Sequence, residues 1–300
     1  MQEFLQQLVN GIAIGSIYAL IALGYTMVYG ILRFVNFAHG DVFMVGAFFG
    51  LFAAGWIGAS AGANGPAAVV VVFLAAMFGA AVLGVILERF AYKPVRGQPR
   101  LNALITAIGV SLFLENAGIL IFGADPKTFP ELLPPANYSV GGVKISSTQV
   151  MTLAGSCLLM LGLNFVVYRT RIGKAMRAVS FSRDAASLMG IPTDRVITAT
   201  FALGSALAAA AGVLFSMSYP RLDPLMGVMQ GLKAFVAAVL GGIGNIPGAV
   251  VGGLVLGLAE TLVSGYLSST YRDAIAFVLL IVILIVKPSG LLGRAVSEKV

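Results

Sequence analysis

Charge is scarce in this sequence. Only 10% of the 300 residues are Asp, Glu, Lys or Arg, while 59% are hydrophobic; a soluble domain carries roughly 25% charge. That excludes a water-soluble domain and points to an integral membrane protein, all-α because helices satisfy their own backbone in lipid. Cysteine is nearly absent: Cys157 stands alone in an apolar run, so no disulfide can form within the chain. Histidine is represented by His39 only, with no His-Glu-x-x-His pattern and no nucleophile beside it. This argues against an intramembrane enzyme, and neither metal nor cofactor is expected. The phosphate-cradling Gly-x-x-x-x-Gly-Lys-[Ser/Thr] is missing too; Gly173-Lys174 lacks both the earlier glycine and the hydroxyl residue. The opening Met-Gln-Glu-Phe has no basic n-region, and the apolar run after it exceeds a signal-peptide core. No soluble domain or long linker stands out, and residues 1–300 read as a single transmembrane domain.

What charge there is sits in a few places. The net charge is +7, and its Lys and Arg gather between apolar runs, which suits cytoplasmic loops beside anionic lipid and not a nucleic-acid face. Apolar stretches at 4–32, 42–57, 66–87, 101–122, 148–168, 196–219 and 268–287 are expected as spans, with Ala53 to Gly65 a turn of small residues. Glu88–Arg100, with Arg89, Lys93, Arg96 and Arg100, and the segment 169–195 are expected inside, as is the C-terminus with Lys287, Arg294 and Lys299. The segment 123–147, with four prolines and only two lysines, is expected outside. The run 231–264 would make about 51 Å of helix, too long for one span and too short for two. Its glycine-rich middle predicts two short helices that dip in and return. The whole reads as about eight transmembrane helices with two broken or re-entrant segments.

Residues 169–195 hold six basic residues: Arg169, Arg171, Lys174, Arg177, Arg183 and Arg195. Within them the sequence predicts a helix of about two turns over 183–189. Ser182 caps it, Asp184 suits its positive end, Gly190 stops it and Pro192 prevents it resuming. So short a helix needs a partner surface, and Ala185 and Ala186 would allow close approach. The plain alternative is a solvated basic loop.

Two polar interruptions fall inside apolar sequence, one in each half: Asn36-Phe-Ala-His39-Gly40-Asp41, and Gly241-Gly242-Ile-Gly244-Asn245-Ile-Pro247-Gly248. Non-helical backbone at membrane depth is tolerated only where it is buried in protein or lines a cavity. Such breaks in matching positions of two halves point to a transport pathway and an inverted repeat. Asn36, His39, Gly40, Asp41, Gly241, Gly242, Gly244, Asn245, Pro247 and Gly248 are therefore the candidate pathway residues. A plainer reading has Asp41 capping a helix that starts at Val42, with His39 at the interface. Glu115 and Glu260 are ionisable groups in or near apolar runs, hence functional candidates; pairing with Arg or a backbone N–H is the alternative.

Asp184-Ala185-Ala186 and Gly190 resemble the EAA loop of ABC-importer permeases, with Asp in place of Glu and without the downstream Ile-x-Leu-Pro ending. Asn10 through Gly24, Asn36 through Asp41 and Gly241 through Gly253 are similar to LivH-type permeases of branched-chain amino-acid ABC importers, so the resemblance covers nearly the whole chain. It implies a permease subunit of the bacterial inner membrane that takes up leucine, isoleucine and valine. It also implies a second, different permease, two ATP-binding subunits and a periplasmic substrate-binding protein as partners. Arg177, Arg183, Asp184, Ala185, Ala186 and Gly190 would then form the surface that couples to the ATPases. Related permeases carry urea or short amides, and a self-sufficient secondary transporter is the rival outside the family.

Overall fold

The computed structural model describes residues 1–58 and 64–293. Arg294, Lys299 and the middle of the expected 53–65 turn lie outside the described residues. Within them the chain is almost wholly helical: α1 Gln2–Leu32, α2 His39–Trp56, α3 Pro66–Leu87, α4 Arg100–Phe122, α5 Ser147–Arg169, α6 Arg171–Phe181, α7 Arg183–Leu188, α8 Thr193–Ser218, α9 Met226–Gly241, α10 Ile246–Tyr266 and α11 Arg272–Val286. Two small antiparallel pairs complete it, β1 Lys127–Thr128 with β4 Arg221–Leu222, and β2 Asn137–Val140 with β3 Val143–Ser146.

Seven helices (α1, α3, α4, α5, α8, α10 and α11) are long and apolar enough to cross a membrane, counting the short turns that extend α3 and precede α11. Among the described residues, α9 with 16 residues is about 24 Å long, below a hydrocarbon core of roughly 30 Å, and α2, as long as the 18-residue segment that ends in α11, opens on the polar His39 and Asp41. α1 is the central column, buried along most of its length, while α3, α4, α5 and α11 turn rows of large apolar side chains outward. Phe78 and Leu74 on α3 and Ile285 on α11 belong to these rows, which suit lipid or a neighbouring subunit.

Contacts at the helix ends define two faces. At one, Gln6 near the start of α1 exchanges two hydrogen bonds of 2.9 Å with the backbone of Lys144 on β3. At the other, Arg33 just past α1 donates to the carbonyl of Ser180 on α6, 3.2 Å away. α8 runs the opposite way, from Asp194 beside Lys93 to β4 beside β1. α1 and α8 cross in the middle, where Gly24 and Gly204 bring the two backbones together.

The helix contacts on the two sides of this antiparallel crossing follow one pattern, that of an inverted repeat in which α1–α4 are placed as α8–α11 are. α1 packs most heavily on α10 just as α8 packs on α3. α1 touches α9 as α8 touches α2, α2 lies on α3 as α9 lies on α10, and α2 and α9 meet each other. Glycine seams permit these approaches: Gly11 and Gly15 face Leu258 and Gly253 on α10, and Gly84 faces Ser205 on α8.

Several expectations are corrected here. α2 begins at His39 rather than Val42 and extends to Trp56; Asp41 sits in its first turn and caps nothing, the N-cap being Ala38. The second helix pair starts at Met226 rather than at residue 231, and α10 is long enough to span instead of dipping in and returning. The break that matches Arg33–Ala38 is Tyr219–Leu225, which joins α8 to α9. Gly241–Gly248 joins α9 to α10 and corresponds instead to the α2–α3 connection. The basic stretch after Leu87 is no open loop: it continues as a π turn, Glu88–Tyr92, and a 3-10 turn, Lys93–Val95. Helix α6 was not foreseen within 169–195. Thr170 caps it through a bond from the N–H of Gly173, and Met176 and Val179 turn its buried side inward.

Candidate functional site

The first break is set by α1 ending on Arg33 in the left-handed conformation, φ 60°. Asn36 is held there by the hydroxyl of Tyr92, which donates to its side-chain oxygen. The chain then turns back so that His39 lies buried against Gly24 of α1, its ring edge-on to Tyr25 at 4.8 Å. His39 Nε2 has no hydrogen-bond partner among the described residues. The first turn of α2 meets the first turn of α9, with Gly40 against the backbones of Gly227 and Gly231; a Cβ on any of the three would overlap the opposite chain. Two helix N-termini thus converge inside the apolar bundle, and the positive ends of their dipoles favour a negatively charged group nearby.

Beside that crossing lies a cavity of about 210 Å³ lined by Tyr25, Phe37, Asp41, Ser111, Glu115 and Gly231, among others. Asp41 accepts a hydrogen bond from Ser111 of α4, and Glu115 stands one helical turn further along α4, half-buried. The cavity thus has an apolar wall from Phe37, Ile108, Leu112 and Val228, with polar groups concentrated near the two helix starts. Such a lining suits a small solute with one charged end and one apolar end.

Two buried ionic clusters flank it. Towards the β2–β3 face, Glu260 of α10 is fully buried and takes Lys233 of α9 at 2.9 Å, Arg272 of α11 at 3.4 Å and the hydroxyl of Tyr18 at 2.8 Å. Lys233 also reaches Asp273 at 2.6 Å. Towards the α7 face, Glu88 at the end of α3 pairs with Arg96 and accepts from the hydroxyl of Thr198 at 2.6 Å. Asp194, opening α8, joins Arg96 at 3.1 Å and Lys93 at 2.7 Å. The clusters are related by the repeat: a buried Glu late in the third helix, an Arg before or opening the fourth, and a hydroxyl from the other half.

At that same face α7 is a two-turn helix, with Ser182 accepting from the N–H of Ala185 and Gly190 at φ +79° beyond its end. Leu188 and Met189 are 88% and 82% exposed, and Phe181 at the end of α6 is 89% exposed. Ala185 is exposed, but Ala186 is buried against its own chain, so it offers no surface to a partner. Arg177 points back along α5, donating to the carbonyl of Val167 and lying over the ring of Tyr168. Arg183 and Asp184 occupy the first turn of α7.

A family model described as branched-chain amino acid transport system / permease component matches residues 7–284. The chain belongs to this family. It is 46% identical over 312 residues to the high-affinity branched-chain amino acid transport system permease protein LivH of Escherichia coli, covering 99% of this chain and 98% of that protein. It is 44% identical over 303 residues to the corresponding BraD of Pseudomonas aeruginosa, again covering 99% and 98%. Among solved structures, PsaBC from Streptococcus pneumoniae in complex with Fab is similar at a TM-score of 0.48 and 13% identity, covering 95% of this chain and 92% of that one.

In this permease the candidate pathway residues separate into two groups. Asn36, His39, Gly40 and Asp41 lie at the crossing, with Asp41 on the cavity. Gly241, Gly242, Gly244, Asn245, Pro247 and Gly248 form a tight turn elsewhere, against residues 287–293. There Asn245 caps α10 by accepting from the N–H of Gly248 and donates to the carbonyl of Leu292 at 2.6 Å. Glu115 reaches the cavity, whereas Glu260 belongs to an ionic cluster. Sequence reasoning missed Tyr25, Ser111, Gly227, Gly231 and Lys233. Lys233 carried a usable signal, since a lysine inside an apolar run is as notable as the glutamate at 260.

Proposed function

We propose that this permease is a membrane-spanning subunit of an ABC importer that takes up leucine, isoleucine and valine across the bacterial inner membrane. It works beside a second, different permease; two ATP-binding subunits drive it, and a periplasmic substrate-binding protein feeds it. Hydrolysis belongs to the partner chains, and this chain transports. The solute passes the cavity at the α2–α9 crossing, its carboxylate toward the paired helix starts and its branched side chain toward Phe37, Ile108 and Leu112. Asp41 and Glu115 face its ammonium group.

One observation carries the reading: Leu188 and Met189 at the end of α7 are bare, as is Phe181 just before it, in a segment rich in Lys and Arg. An apolar tip on so short a helix is costly in water and needs a partner surface. A secondary transporter shares the inverted repeat but has no use for this tip.

The test is uptake of labelled leucine by cells expressing the whole importer, together with co-purification of the ATP-binding subunits. Leu188→Asp is expected to insert at parental abundance, lose the ATP-binding subunits and abolish uptake. Unlabelled isoleucine and valine are expected to compete with leucine, and urea is not. Uptake that persists in cells lacking the ATP-binding subunits would overturn the reading in favour of a self-sufficient carrier.

A further inference from the structure

The ionic cluster at the α7 face does more than hold two loops together. Only residues 189–192 separate α7 from α8, and α8 opens with Thr193 and Asp194. Ile191 N–H returns to the carbonyl of Ala186 at 3.0 Å, so the connection is tied back onto α7 rather than slack. Asp194 in turn grips Lys93 and Arg96, and Arg96 reaches the buried Glu88. Arg96 lies four residues before α4, the helix that brings Ser111 and Glu115 to the cavity.

We infer that Asp194, Arg96 and Glu88 form a joint through which displacement of α7 moves α4 and reshapes the cavity, making them positioning residues for transport. This rests on the docking of ATP-binding subunits at α7. The chemistry suits a joint. Asp194 is more than half exposed, with 59% of its side chain accessible, so its bonds can break and reform in water. Glu88 and Arg96 are buried and together anchor the far side. An exposed carboxylate between two cations contributes little to stability, about 0–1 kcal/mol per surface pair. Its removal therefore leaves the fold standing, and its contribution is geometric: it fixes where the α3–α4 turn sits relative to the start of α8. The Glu260 cluster supplies an internal comparator, because it has the same parts at the opposite face and no α7 beside it.

The experiment uses the complete importer in proteoliposomes and reads the ratio of solute transported to ATP hydrolysed, which separates coupling from mere adjacency. Asp194→Asn is expected to retain its ATP-binding subunits and hydrolysis within about twofold, while solute per ATP falls about fivefold or more. Asp194→Glu, which keeps the charge within reach of Lys93 and Arg96, should restore most of that ratio. Asp273→Asn, in the comparator cluster, should leave the ratio unchanged. A parental ratio for Asp194→Asn overturns the joint, as does a loss explained by lower abundance or lower melting temperature. An equal loss in Asp273→Asn overturns it as well, by making the effect general to both clusters. The underlying docking reading fails separately: if Leu188→Asp keeps its ATP-binding subunits, α7 is not their seat, whatever Asp194→Asn does.

Discussion

Lys233 and Glu260 are charges deep in the bundle, side chains 3% and 0% exposed, and neither would be tolerated there alone. Removing one member of a buried pair typically costs about 3–5 kcal/mol, because the other is left uncompensated. Arg272 and the Tyr18 hydroxyl still contact Glu260 when Lys233 is gone, so Lys233→Met is expected to lower the unfolding free energy in detergent by less than that, about 1–3 kcal/mol. Lys233→Met with Glu260→Gln should recover part of the loss, since the buried carboxylate is then no longer short of a cation. If the double variant is no more stable than the single one, charge pairing is not what holds α9 to α10. Gly40 makes a different demand at the same scale. It has no room for a side chain against Gly227, whereas Gly30 has open space around its Cβ position. Gly40→Leu must push α2 off α9 and should abolish uptake at near-normal abundance; Gly30→Leu should be mild.

The spans were legible as elements because a single apolar run bounded by basic or proline-rich sequence admits few other readings in a membrane. The cap and stop of α7 were legible because Ser182 and Gly190 have narrow roles, at an N-cap and at positive φ. What escaped was less well marked. α6 mixes Arg and Lys with Met176 and Val179, so its amphipathic face hid inside a stretch read as a loop. The Tyr219–Leu225 break has no glycine to mark it, whereas the glycine-rich Gly241–Gly248 reads as a break at membrane depth. Glycine is ambiguous there: it serves both to end helices and to let them touch. Gly190→Val tests the terminator directly. A β-branched residue at φ +79° is strained, at a cost of roughly 1–3 kcal/mol confined to the end of α7. Insertion should be normal and uptake lost. Ala186→Arg is expected to unseat α7 from its own bundle, so its defect should appear as greater protease sensitivity near residue 186. Sidedness is checked with single cysteines at Gln98, Asn137 and Ser182 after replacing Cys157. Only position 137 should react with an impermeant thiol reagent in intact cells.

At the scale of the whole molecule, the repeat exchanges its partners: α1 leans on α10 and α3 on α8, so neither half completes its own interior. Two chains divided between Gly141 and Gly142, at the tip of the β2–β3 turn, are expected to accumulate when expressed together. Each should be degraded when expressed alone, and stable accumulation of either half alone would show that the exchange is dispensable. The same exchange sets a timetable for biogenesis. The seam at Gly11 and Gly15 enters the bilayer first, yet its mate around Gly257 is among the last parts to leave the ribosome. At 5–20 residues per second this leaves roughly 10–50 s in which an unfinished helix surface is exposed to the insertion machinery and to membrane proteases. Translation speed through the second half, rather than the strength of any one contact, then governs how many chains survive to be assembled.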